Sequence, residues 1–153
     1  MRKVSEMNDK VSALLRKTAD LLELDGANGY RIKAYRQAAQ HIASLDRDIE
    51  HILKQDEDIL RTIGLGEQMA EKVKQIFSTG SLTELTELEN RLPSIFVTLL
   101  DLPGLLPEHV SRLYLELNIT SLDDLKTALA NDRVQKLQGF DEDLINTLKA
   151  SLQ

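Results

Sequence analysis

The sequence predicts an all-α protein, on three observations. Apolar residues recur at helical spacing along nearly the whole chain, as at Val11, Leu14, Leu15, Ala19, Leu21 and Leu22. No segment alternates apolar and polar residues as a half-buried strand does. Aromatic residues make up only 4% of the chain and Trp is absent, so Leu, Ile, Val and Ala must fill the core, which suits helix-on-helix packing. At 153 residues, 42% hydrophobic and 29% charged, the chain has the balance of a globular protein with one domain or two small ones.

The elements follow in order. A helix is expected from Asn8 to Leu24, ended by Asp25-Gly26-Ala27-Asn28-Gly29, whose residues tolerate left-handed backbone. A second runs from about Tyr30 to Ser44, with Ala34, Tyr35, Ala38, Ala39 and Ile42 on one face. Short helices are expected at Asp48–Lys54 and Asp56–Arg61. The tight turn Ile63-Gly64-Leu65-Gly66 precedes a helix from Glu67 to about Phe77, closed by Thr79-Gly80. Ser81 and Glu84 have the spacing of a capping box, and Pro93 breaks the helix they start before another runs to about Leu100. The pattern of short helix, glycine turn and longer helix then repeats. One turn is Leu102-Pro103-Gly104-Leu105-Leu106 with Pro107 as a first helical residue, and the next is Leu137-Gln138-Gly139-Phe140-Asp141 before a last helix to about Leu152. Ser121-Leu122-Asp123-Asp124 caps the helix between them.

Composition excludes several function classes. There is no Cys, so disulfides and thiolate metal sites are ruled out. His41, His51 and His109 are isolated, without the spacing of a zinc site, and Asp56-Glu57-Asp58 reads as a helix cap; no metal or cofactor is expected. No Ser/His/Asp set or phosphate-cradling GxxxxGK[ST] loop is present. Met1-Arg2-Lys3 has no apolar stretch behind it, and no apolar run nears the ~18 residues that span a bilayer, so a cytoplasmic protein without membrane partners is expected. The net charge of −6 is uneven: residues 1–80 carry 13 Lys/Arg and 13 Asp/Glu, residues 81–153 carry 6 and 12. The second half should repel phosphate, so a nucleic acid would have to bind the first.

The residues from Thr18 to Gly26 (TADLLELDG), Tyr30-Arg31-Ile32-Lys33-Ala34-Tyr35-Arg36-Gln37-Ala38-Ala39, Gly64-Leu65-Gly66 and Ala70-Glu71-Lys72-Val73 fall in a familiar order and spacing. They resemble the N-terminal lyase domain of family-X DNA polymerases, the beta-like repair polymerases, and look most like the bacterial members. Leu102-Pro103-Gly104 with Leu117–Leu122, and Leu137-Gln138-Gly139-Phe140, continue the likeness into further helix-hairpin-helix units. The resemblance implies a compact bundle of such units that grips gapped or single-stranded DNA. It does not imply polymerisation, because the family's nucleotidyl-transfer carboxylates and metal-dependent phosphoesterase lie on later domains outside the likeness. It also implies that hairpin carbonyls, here Ile63 and Leu65, can hold a monovalent cation.

A hairpin holds DNA by its backbone. Glycines let the main chain approach a phosphate, and the N–H groups opening the second helix point at it. The first hairpin keeps Gly64 and Gly66, though Ile63 stands where the family has Pro. The later two carry Leu106 and Asp141 in place of the second glycine, which should block close approach or force a different turn. Each following helix opens with acid, at Glu67, Glu108 and Asp141-Glu142-Asp143, which weakens the case for DNA there.

Two sets of side chains are candidates. Lys72 matches the family's Schiff-base lysine, which attacks the sugar aldehyde of an abasic end and needs a neutral amine. Its bland alternative is a surface lysine that pairs with Gln68 or Glu71 or lies over Met69. Arg31, Lys33 and Arg36, interleaved with Tyr30 and Tyr35, form the densest basic cluster and could hold a phosphate and stack a base. The alternative there is Tyr35 in the core with the cations solvated.

The division expected is a lyase-domain-like bundle over 1–80, with the first hairpin, and two degenerate hairpin units over 81–153. Three functions are compatible with the residues. One is a non-catalytic module that binds DNA phosphates through Tyr30, Arg31, Lys33, Tyr35, Arg36, Gly64, Leu65 and Gly66. The second is a protein-interaction domain whose DNA sites have decayed, with a partner on residues 81–153. The third is a deoxyribose-phosphate lyase acting through Lys72.

Overall fold

The computed structural model describes residues 6–55 and 66–153. Among them are nine α-helices, one 3₁₀ turn at Val134–Lys136 and no strand. The helices are α1 (Glu6–Leu24), α2 (Gly29–Ala43), α3 (Ile49–Gln55), α4 (Glu67–Thr79), α5 (Thr83–Arg91), α6 (Ser94–Leu100), α7 (Pro107–Leu117), α8 (Leu122–Ala130) and α9 (Glu142–Ser151). The all-α expectation therefore holds, with ends within about two residues of those read from spacing. The helix expected at Asp56–Arg61, with its acid run, and the turn residues Ile63, Gly64 and Leu65 lie outside the described residues. The chain divides into two compact units, residues 1–88 and 89–153.

In the first unit α1 and α2 pack antiparallel, as two long-range links show: the Ser12 hydroxyl donates to Ala39 O (2.8 Å) and Arg36 to Asp20 (2.8 Å). Val11, Leu15, Ala19 and Leu22 meet Tyr35, Ala38, Ala39 and Ile42, and Val73 and Ile76 of α4 join the same core. Ala34 departs from the expected apolar face and is exposed. Gly26 turns the chain with φ +77°, and Asn28 caps α2 by accepting from Arg31 N. Buried Asn8 ties α1 to the entry of α3: its Nδ2 donates to Arg47 O (2.8 Å) and its Oδ1 accepts from Ile49 N (2.7 Å). Gly80, at φ +77°, ends α4 in the left-handed conformation. The capping box expected of Ser81 and Glu84 does not form. Ser81 N–H goes to the Thr79 hydroxyl, α5 starts two residues later, and Glu84 turns its carboxylate elsewhere.

The second unit repeats a helix, a glycine turn and a helix in α6–α7 and α8–α9. Its turn glycines, Gly104 (φ +85°) and Gly139 (φ +90°), need the left-handed backbone. They also seat the two hairpins on each other. A Cβ at Gly104 would lie 2.9 Å from Leu144 Cδ1, and one at Gly139 would lie 3.7 Å from His109 Nε2. His109 and Leu144 are the third residues of α7 and α9, so the contacts repeat with approximate twofold symmetry. His109 is satisfied by the hairpins themselves: its Nδ1 accepts from Leu106 N, its Nε2 faces Gly139 O at 3.1 Å, and its ring meets Phe140 edge-on. Leu106 and Asp141 both have extended backbone, which any residue adopts. Ser121 caps α8 as expected, and Thr120 N–H and hydroxyl bond to Asp124, which holds its carboxyl below the usual range.

Candidate functional site

An open groove of about 920 Å³ runs along the first unit between one face of α2 and the start of α4. Helical periodicity decides which members of the basic cluster reach it. Arg31, Ala34, Tyr35, Ala38 and His41 share that face of α2 and line the groove. Arg36 lies five residues from Arg31, about 140° around the helix, and points to α1 instead. There Asp20 and Glu23 hold it at 2.8 and 2.9 Å. Burial keeps the Asp20 carboxyl above its ordinary value despite that guanidinium. Lys33 is exposed and does not line the groove. Tyr30 stands at its mouth, 89% exposed.

The opposite wall is the N-terminus of α4, with Gly66, Glu67, Gln68, Met69 and Lys72. Gly66 is the N-cap, with extended backbone and no side-chain cap hydrogen bond; Glu67 does not reach back to cap it. Among the described residues the first-turn N–H groups of α4 thus have no side-chain acceptor at the cap, and this turn lines the groove. Gly64 and Leu65, expected from the sequence to share the turn with Gly66, lie outside the described residues.

Lys72 takes neither of the partners expected from its own helix; Glu71 pairs with Lys74. Lys72 is one-third exposed, with Nζ 5.6 Å from the centre of the Tyr35 ring and 3.8 Å from Glu84 Oε1. Glu84 is the groove residue that local sequence signals do not point to. Reaching in from α5, it accepts from the Tyr35 hydroxyl and pairs with Arg31, while only 16% of its side chain is exposed. Tyr35 is itself buried, and that burial pushes its phenol up to about 12, against the opposing pull of Arg31. With Arg31 and Lys72 set against Glu67 and Glu84, the lining has two cations and two carboxylates, and so no excess of positive charge.

The two hairpins of the second unit differ from this arrangement. Asp141 caps α9 by accepting from Leu144 N, so its carboxylate already occupies that helix N-terminus. Pro107 removes one N–H from the start of α7, and Leu106 projects beside it, exposed.

Residues 6–82 match the model of a helix-hairpin-helix domain family. The chain belongs to that helix-hairpin-helix family. Over 127 residues it is also 33% identical to the DNA polymerase/3'-5' exonuclease PolX of Bacillus subtilis (strain 168). The match covers 83% of this chain and 22% of that polymerase, at its N-terminal part, so the chain spans about a fifth of its relative's length. The likeness to family-X polymerases read from the motifs is borne out. The family match covers α1 to α4, and so both walls of the groove. Among the described residues, no group of three or more His, Asp or Glu could hold a metal ion, and no helix is long and apolar enough to cross a membrane.

Proposed function

We propose that the chain is a non-catalytic DNA-binding module that holds backbone phosphate without reading base sequence, through the groove of the first unit. One observation carries this. The α4 N-terminus, whose cap is a glycine without a side-chain acceptor, opens into a groove that also presents Arg31, Tyr35 and Lys72. N–H groups at such a terminus and the helix dipole favour an anion, and glycine lets the phosphate approach the main chain. In this proposal Gly64, Leu65 and Gly66 are the residues whose main chain meets the phosphate. The exposed Tyr30 ring stacks a base, worth ~1–3 kcal/mol, which suits gapped or single-stranded DNA. Lys33 adds a peripheral charge, and Arg36 serves the α1–α2 packing instead.

The balanced charge of the groove makes the binding weak. Fluorescence anisotropy with gapped and single-stranded oligonucleotides should give log affinity falling with log salt at a slope of about −2 to −4. Lys72→Ala should weaken binding and flatten that slope. No binding at low salt rejects the proposal.

A second reading concerns the other unit. Its acidic character, the filled α9 N-terminus, and the exposure of Leu106 and of Leu115 (74%) favour a protein partner over DNA on residues 81–153. A lyase acting through Lys72 is less well supported. Attack on an aldehyde needs a nucleophilic amine free to reach it, whereas Lys72 Nζ stands 3.8 Å from Glu84 Oε1 and 5.6 Å from the Tyr35 ring centre. Borohydride trapping on abasic DNA, with Lys72→Ala as control, separates the lyase from the binding module.

A further inference from the structure

Three donors of the groove converge on one carboxylate. The Arg31 guanidinium pairs with Glu84 Oε2, the Tyr35 hydroxyl donates to Oε1, and the Lys72 ammonium stands 3.8 Å from Oε1. Arg31 and Tyr35 come from α2, Lys72 from α4 and Glu84 from α5, so the carboxylate is delivered from outside the two walls. A guanidinium, an ammonium and a hydroxyl that converge beside an open helix N-terminus have the chemistry that receives a phosphate group. Here the anion they receive belongs to the protein.

We propose that the Glu84 carboxylate occupies, from within, the seat a phosphate group would take, so that the groove accepts phosphate only when Glu84 withdraws or loses its charge. The idea rests on the groove being the phosphate-contacting surface, and it goes further by naming what keeps that surface weak. Displacing Glu84 frees Arg31 and Lys72 together. A phosphate offers more acceptor oxygens and more charge than the carboxylate it replaces, so the exchange is a competition between two anions for the same donors.

The test is Glu84→Gln, which keeps the shape and an acceptor for Tyr35 and removes the charge. Its control is Glu87→Gln, the same charge change on the exposed side of α5. Both are compared with the wild type by anisotropy on gapped DNA and by NMR titration with inorganic phosphate. E84Q should bind DNA at least ~10-fold more tightly, with a salt slope steeper by about 1 to 2, and E87Q should change little. Phosphate should shift the resonances of Arg31, Tyr35 and Lys72 in E84Q at concentrations at least ~10-fold below those the wild type needs. Equal gains in E84Q and E87Q would overturn the proposal, since net charge alone then accounts for them. Weaker binding by E84Q would overturn it too, because Glu84 would then be positioning the cations. If neither protein binds DNA yet E84Q binds phosphate at those residues, the seat stands and the DNA reading fails. Should E84Q fail to fold by circular dichroism, Glu84→Asp, which shortens the reach of the carboxylate, takes its place: tighter DNA binding than E87Q is expected, and no gain would overturn the proposal.

Discussion

Replacing Tyr35 with Phe deletes one buried hydroxyl from the groove and leaves the ring in place. The hydroxyl donates to the Glu84 carboxylate, so at pH 9 the variant should be less stable by about 1–2 kcal/mol. Alkaline pH gives the sharper test. In the unfolded chain the phenol ionises near 10, and in the fold burial pushes it up to about 12. Because the folded value is the higher one, the stability that depends on the protonated phenol is intact below pH 10. It is lost as pH rises through 12. Two units of separation are worth at most ~2.7 kcal/mol, of which about 1.4 kcal/mol is gone by pH 11. Lysine titration affects both proteins alike and cancels in the difference. Urea unfolding of wild type and Y35F at pH 9 and pH 11 should therefore show the gap between them narrowing by about 1.3 kcal/mol. A gap that stays constant refutes the assignment of a buried, carboxylate-bound phenol at the groove floor.

Asn8→Ala removes both hydrogen bonds between α1 and the entry of α3 and strands the buried Ile49 N–H; it should cost ~2–4 kcal/mol, read as a fall of about 10–20 °C in Tm. Gly104→Ala puts a Cβ at φ +85° and 2.9 Å from Leu144 Cδ1, and should destabilise by ~1–3 kcal/mol, with hydrogen exchange rising in residues 89–153. Asp141→Ala strips the cap of α9 and should cost ~1 kcal/mol in chemical unfolding without creating a DNA site, since residues 81–153 remain acidic.

Most of the fold was legible because its signals are local. The period of Val11, Leu15, Ala19 and Leu22 marks a buried stripe, and Gly26, Gly80, Gly104 and Gly139 stand where the backbone turns left-handed. The site was half legible. Tyr30, Arg31 and Tyr35 fall on the groove, and so do Gly66 and Lys72. Arg36 does not, although the 100° step per residue already separates it from Arg31. Glu84 could not be found locally. Its partner Tyr35 is 49 residues away, and the spacing from Ser81 offered a competing local use as a helix cap. Asn8 was missed for the same reason, since only its long-range partners Arg47 and Ile49 explain a buried polar side chain on an apolar stripe. In the second unit the local signal was correct in kind. An acid at the start of α9 does fill the helix N-terminus, and Asp141 needs no change of turn to do it.

If the groove of the first unit, and not the hairpins of the second, meets nucleic-acid phosphate, the amides that respond to DNA should lie along that groove. Amide NMR mapping of the ¹⁵N-labelled chain with a short single-stranded oligonucleotide at low salt reads them one by one. Shifts confined to Tyr30, Arg31, Gly66–Met69 and Lys72, and reversed by added salt, are the expected result. Shifts centred on residues 108–110 or 142–144 instead, or none at all, would contradict it.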